Sequence, residues 1–164
     1  MLAYLALPQD LALTNLLRSR SSSQPLNPNT LQRFLPGKPG ELRQLLLEQG
    51  RESSPGDLIF LDLLELVYLA QDPTLRPLYQ GRQVSLRGQW LAEDAEHFKI
   101  ARLLIFCCAA DGRSISLRVH GTTHPLEDGT WIEIRGTLNL EDSPHPILEL
   151  DRYEVVESPI DAFL

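Results

Sequence analysis

The sequence of 164 residues predicts a mainly β domain, a small five-stranded Greek-key barrel led in by helices. Three observations carry that expectation. From Gln83 onward apolar residues recur with period two, turn residues cut that stretch into five short runs, and before Gln83 the apolar spacing is helical instead.

Residues 1–7 (MLAYLAL) are an apolar stub, broken by Pro8-Gln9-Asp10 and followed by a short amphipathic helix carrying Leu11, Leu13, Leu16 and Leu17. Residues 18–29 (RSRSSSQPLNPN) have the composition of a flexible linker. A second helix is predicted over 39–49, with Pro39 and Gly40 at its start, Leu42, Leu45 and Leu46 at helical spacing, and Gly50 as its stop. Its narrow apolar face places it on a surface. The run Ser-Ser-Pro-Gly-Asp at 53–57 opens a third helix over 58–70, apolar on nearly every side and so covered on most faces. Asp72-Pro73 ends it. The chain therefore divides into a helical extension with a Ser/Pro-rich linker, 1–52, and a barrel domain with its leading helix, 53–164.

In the first strand Val84, Leu86, Gly88 and Trp90 share the inward face, while Gln83, Ser85, Arg87 and Gln89 take the other. The second, 98–108, is almost continuously apolar, which is the pattern of a strand covered on both faces. The third turns Ile115, Leu117 and Val119 inward; the fourth turns Ile132, Ile134, Gly136, Leu138 and Leu140 inward. In the fifth, Leu148 and Leu150 share a parity that Tyr153 and Val155 do not, which predicts a bulge near Asp151-Arg152. Inward glycines at Gly88 and Gly136 suit strands that must bend in a small barrel. The order of strands fits the oligonucleotide/oligosaccharide-binding (OB) fold, with the helix over 58–70 capping the barrel and covering the outer face of the second strand, because 121–129 is only a loop.

Fifteen basic residues against 22 acidic ones give a net charge of −7. Residues 1–80 carry 7 basic and 8 acidic groups and residues 81–164 carry 8 and 14, so the acidic excess lies in the barrel. That balance disfavours a nucleic-acid partner, whose phosphates are neutralised by Lys and Arg. The two cysteines are neighbours and form no disulfide framework. No apolar run reaches the 18 residues a membrane span needs, and the chain as given is read as soluble.

The candidate site residues are Cys107, Cys108, Asp111 and Arg102. On a regular strand the two thiols would point to opposite faces. Two readings are open: both are small buried hydrophobes, or one thiolate is a soft-metal ligand or redox centre. Asp111-Gly112 is a hairpin-turn dipeptide, and the Asp111 carboxylate either stabilises the turn or joins the cysteines at a site. Arg102 interrupts an apolar run and needs a partner, for which a helix carboxylate, Asp62 or Glu65, is the expected choice. His97, His120, His124 and His145 lack zinc-motif spacing and read as surface residues. No phosphate loop, nucleophile elbow or paired-carboxylate motif is present.

The stretch Phe98-Lys-Ile-Ala-Arg-Leu-Leu-Ile-Phe-Cys-Cys-Ala-Ala-Asp111 resembles the C-terminal domain of the bacterial YcgQ-type family of two-component permease subunits, domain of unknown function 1980. The resemblance extends from Tyr79 through Arg87-Gly88, Gly129-Thr130-Trp131-Ile132 and Arg135-Gly136-Thr137 to residues 147–157, with Cys107-Cys108-Ala-Ala-Asp111 as its most specific part. Gly112-Arg113-Ser114 departs from the apolar and proline residues usual in the family, and the family's transmembrane part is missing. The resemblance implies a non-enzymatic accessory domain of a membrane permease system, membrane-associated, with the extracytoplasmic face slightly favoured. Its partner would be the permease subunit, and its cofactor, if any, a zinc or other soft metal ion at Cys107, Cys108 and Asp111. Two alternatives come from other classes: a nucleic-acid-binding OB module using Arg87, Arg118 and Arg135, and a thiol redox protein using Cys107 and Cys108.

Overall fold

Period-two alternation yields the strands it predicts. The computed structural model of the chain describes residues 37, 38, 40–105, 113–141 and 145–159, so expectations placed on 1–36, and on Cys107, Cys108 and Asp111, lie outside the described residues. The strands are β1 (Ile59–Phe60), β2 (Gln83–Ala92), β3 (His97–Leu104), β4 (Arg113–His120), β5 (Trp131–Asn139) and β6 (Ile147–Val155). They form one mixed sheet in the order β1-β2-β3-β4-β6-β5, and a further β2–β5 pairing closes β2 to β6 into a ring of five. The arrangement is broadly OB-like. β4 and β6 run parallel, as do β1 and β2, and the other pairs are antiparallel.

Inside the ring lie the residues of one parity: Val84, Leu86, Ile100, Leu117, Val119, Ile132, Ile134, Leu138 and Leu148, all but dry. Burying each large aliphatic side chain contributes roughly 1.5–3 kcal/mol. The bulge falls where the parity break predicts it, since Arg135 pairs with Arg152 but Gly136 pairs with Leu150, leaving Asp151 as the extra residue.

Helix α1 (Glu41–Glu52) runs through Gly50 rather than stopping there. Gly50 is buried against Leu78 and Tyr79, so its role is close packing, and the buried face is Leu42, Leu46 and Leu47 while Leu45 is exposed. The single helix expected over 58–70 is two elements: β1, then α2 (Leu63–Gln71). A capping box explains the boundary, because Asp62 accepts the Leu64 N–H at 2.8 Å and its own N–H donates to Glu65 Oε2 at 2.8 Å. A four-residue helix, α3 (Arg76–Tyr79), leads into β2.

α1, α2 and α3 share one hydrophobic core with the inward faces of the strands. Tyr79 ties them together: its hydroxyl lies 2.8 Å from the Leu46 carbonyl and 2.9 Å from Gln49 Oε1, and burial pushes its pKa up to about 12. The outer face of β3 is covered differently from the expectation. Ala101 and Leu103 pack with Leu91 and Ile105 in a separate cluster to which α2 contributes nothing, because the helix lies over the core instead. No helix among the described residues is long and apolar enough to cross a membrane.

Candidate functional site

The site arises where β2 and β3 diverge. Their pairing covers Gln89–Ala92 against Phe98–Ala101 only, and the beginning of β2 pairs with β1 at Val84 and Ser85 instead. Gly88 permits the divergence at close quarters, since a side chain there would press on Ile100 and the Ala101 backbone at 3.2 Å. Beside the gap opens a cleft of about 370 Å³, lined by Phe60, Asp62, Ser85, Arg87, Arg102, Trp131, Glu133 and Pro159 together with Leu61 and Leu86.

Two ionic systems hold its walls. Glu133, on β5 opposite Arg87, accepts from Arg87 Nε at 2.8 Å, from the buried Ser85 hydroxyl at 3.1 Å and from Arg135 Nη2 at 3.3 Å. The Arg87 guanidinium holds the Glu133 carboxyl below its ordinary range despite the opposing effect of burial. A carboxylate so held is a weak proton acceptor near neutral pH and serves as a fixed negative charge. Across the gap, Arg102 Nη1 donates to Asp62 Oδ2. Arg102 shares the inward parity of Phe98, Ile100 and Leu104, so its stem is buried in the wall while its head reaches the cap of α2. The rim is aromatic: Phe60 is 64% exposed, and Trp131 lies close by.

The depressed Glu133 pKa sets a pH dependence. The stability Glu133 contributes is complete above the ordinary carboxylate value of 4.5 and is lost as pH falls through the lower folded-state value. The urea midpoint of the wild-type chain should therefore fall more steeply below about pH 4.5 than that of Glu133→Gln. Parallel profiles would show that the Arg87–Ser85–Glu133 cluster carries no linked stability.

The DUF1980 C-terminal domain, as a family, matches this chain over residues 57–164. The chain belongs to that family. No curated protein matches it. Among solved structures, the DUF1980 domain is similar to "OBody AM1L10 bound to hen egg-white lysozyme" at 12% identity and a TM-score of 0.33, covering 51% of this chain and 86% of that one. It is likewise similar to "Yeast RPA bound to ssDNA" at 10% identity and a TM-score of 0.37, covering 67% of this chain and 81% of that one.

Of the residues expected to form a site in this DUF1980 domain, Arg102 reaches the cleft, paired with Asp62 as its interruption of an apolar run requires. Cys107, Cys108 and Asp111 lie outside the described residues. The ladder that flanks them is described: β3 ends at Leu104, paired with Arg113 of β4. Among the described residues no group of three or more His, Cys, Asp or Glu side chains converges as a metal site. Arg87, Arg118 and Arg135 do not form one stripe, because Arg87 and Arg135 share Glu133 whereas Arg118 is held by Glu93 near the start of β3.

Phe60, Trp131 and Pro159 were not legible as site residues. Phe60 reads as helical unless Asp62-x-x-Glu65 is recognised as a capping box, and that signal alone would have freed Ile59-Phe60 to be a strand.

Proposed function

We propose that this DUF1980 domain is a non-enzymatic accessory module of a membrane permease system, and that it docks an extended segment of the permease subunit at the cleft beside β1. The observation that carries the reading is the exposed Phe60 on β1, the terminal strand of the sheet, next to a cleft whose carboxylates are already engaged by arginines. Among the described residues β1 pairs with β2 alone, and an edge of that kind offers main-chain hydrogen bonds to an incoming segment, with an aromatic beside it as the anchor. Arg87, paired but 60% exposed, offers the rim a guanidinium for an acidic side chain on that segment. The partner class comes from the resemblance to YcgQ-type permease subunits.

The test is co-purification of the protein with the permease subunit from native membranes. Phe60→Asp should reduce the recovered permease about tenfold, equivalent to about 1.4 kcal/mol of binding energy, while the thermal midpoint of the isolated chain stays close to the wild-type value. Undiminished recovery with Phe60→Asp would move the contact away from the cleft. Failure of the wild-type protein to retain the permease would overturn the accessory role itself.

A further inference from the structure

A second constellation lies at the opposite end of β3 from Arg102, and none of its residues lines the cleft. His97 opens β3 and His120 closes β4, and the two are directly paired across the strands. Their rings are 5.1 Å apart between centroids and inclined by 35°. Each presents the same nitrogen to a carboxylate: His97 Nδ1 lies 2.9 Å from Asp94 Oδ1, and His120 Nδ1 lies 2.6 Å from Glu149 Oε2.

Neither carboxylate is loosely placed. Asp94 Oδ1 also accepts the backbone N–H groups of Glu96 and His97, at 2.9 and 2.8 Å, which fixes it within the β2–β3 turn. Glu149 stands opposite His120 in the parallel β4–β6 register. The turn is closed by the Asp94 N–H donating to the His97 carbonyl at 3.0 Å, and the Gly121 N–H, just past β4, donates to the Glu96 carbonyl at 2.9 Å, so both histidines sit on hydrogen-bonded backbone.

A carboxylate accepting the Nδ1–H of an imidazole selects the tautomer in which Nε2 carries the lone pair, and it raises the basicity of that nitrogen. Here the arrangement occurs twice, on facing residues of neighbouring strands. Both rings reach solvent, with side chains 25% and 47% exposed. We propose that His97 and His120 form a two-histidine site for a borderline divalent transition cation such as Zn²⁺, bound through both Nε2 atoms, with Asp94 and Glu149 as the positioning residues behind them. Two imidazoles suit zinc, copper and nickel better than the hard cations calcium and magnesium, which require oxygen ligands. With only two protein donors, the remaining coordination positions belong to water or to an exchanging ligand, as in a site that loads and releases its ion rather than one that holds the fold together.

The test is a titration of the metal-free full chain with Zn²⁺ alone at about pH 7.5, read by calorimetry and by the histidine ring resonances. One equivalent should bind and should shift the resonances of His97 and His120 but not those of His124 or His145. His97→Gln or His120→Gln should each weaken that equivalent at least about tenfold, and Asp94→Asn or Glu149→Gln should weaken it by about the 10–100-fold typical of outer-shell partners. Unchanged affinity in both His97→Gln and His120→Gln would overturn the proposal, as would the absence of zinc binding by the wild-type chain. The double variant Cys107→Ser/Cys108→Ser is the control for a thiolate site: it should leave the histidine shifts in place, and their disappearance in that variant would equally overturn the assignment. Circular dichroism of each variant excludes loss of fold as the cause.

Discussion

Gly136→Ala is expected to lower the unfolding free energy by about 3 kcal/mol or more, at the upper end of what overpacking costs. A methyl group at this position would lie 2.1 Å from the Glu149 carbonyl oxygen and 3.0 Å from its carbon. Those atoms are backbone of the neighbouring strand, so no rotamer change relieves the contact. Gly136 sits at the register shift between β5 and β6, and separating the strands there would also pull on the β2–β5 pairing Val84↔Gly136 that closes the ring. Gly88→Ala is the control. Its nearest contacts are 3.2 Å or more, and its cost should be about 1 kcal/mol. Urea unfolding of both variants checks the difference. Equal midpoints would mean that the bulge relaxes and that the close approach at Gly136 contributes little to the fold.

The second large effect belongs to Asp62, which does two things at once: it caps α2 and it pairs with a buried arginine. Replacing it by alanine removes the cap, worth about 1 kcal/mol, and deprives the Arg102 charge of the carboxylate in a wall where its side chain is only 9% exposed. Losing one partner of a buried pair costs about 3–5 kcal/mol. Asp62 itself is 33% exposed, so solvent screens the pair and the combined loss should be nearer 3 than 5 kcal/mol. Asp62→Asn separates the two contributions, since asparagine caps as well as aspartate but carries no charge. It should recover about 1 kcal/mol relative to Asp62→Ala. Arg102→Met with Asp62→Asn removes both members of the pair and closes a double-mutant cycle. Urea midpoints of these three variants and of Arg102→Met alone test this, and strict additivity of the Arg102 and Asp62 changes would deny the coupling.

Much of this architecture is legible one residue at a time. Ile132, Ile134 and Leu138 are inward because a strand alternates, and all three are dry in the core. The bulge is legible for the same reason, since only an extra residue reconciles Leu150 with Tyr153. Helix limits are less so. Gly50 reads as a stop, yet it lies inside α1 because Leu78 and Tyr79 press against it and leave no room for a side chain. Phe60 reads as part of a helix, yet it extends along β2 because the Asp62 cap starts the helix only at Leu63.

Sequence alone determined which face of each strand enters the core, the order that makes an OB-like ring possible, the place of the Asp151 bulge and the need of Arg102 for a carboxylate. Those are local consequences of side-chain period and of the cost of an unpaired charge. Tertiary structure decided that β1 would occupy the edge β2 leaves open, that Phe60, Trp131 and Pro159 would meet at one cleft, and that His97 and His120 would face each other with carboxylates behind them. These residues are far apart in the chain, and the strand register that joins them depends on close approaches at Gly88 and Gly136 that no local pattern encodes.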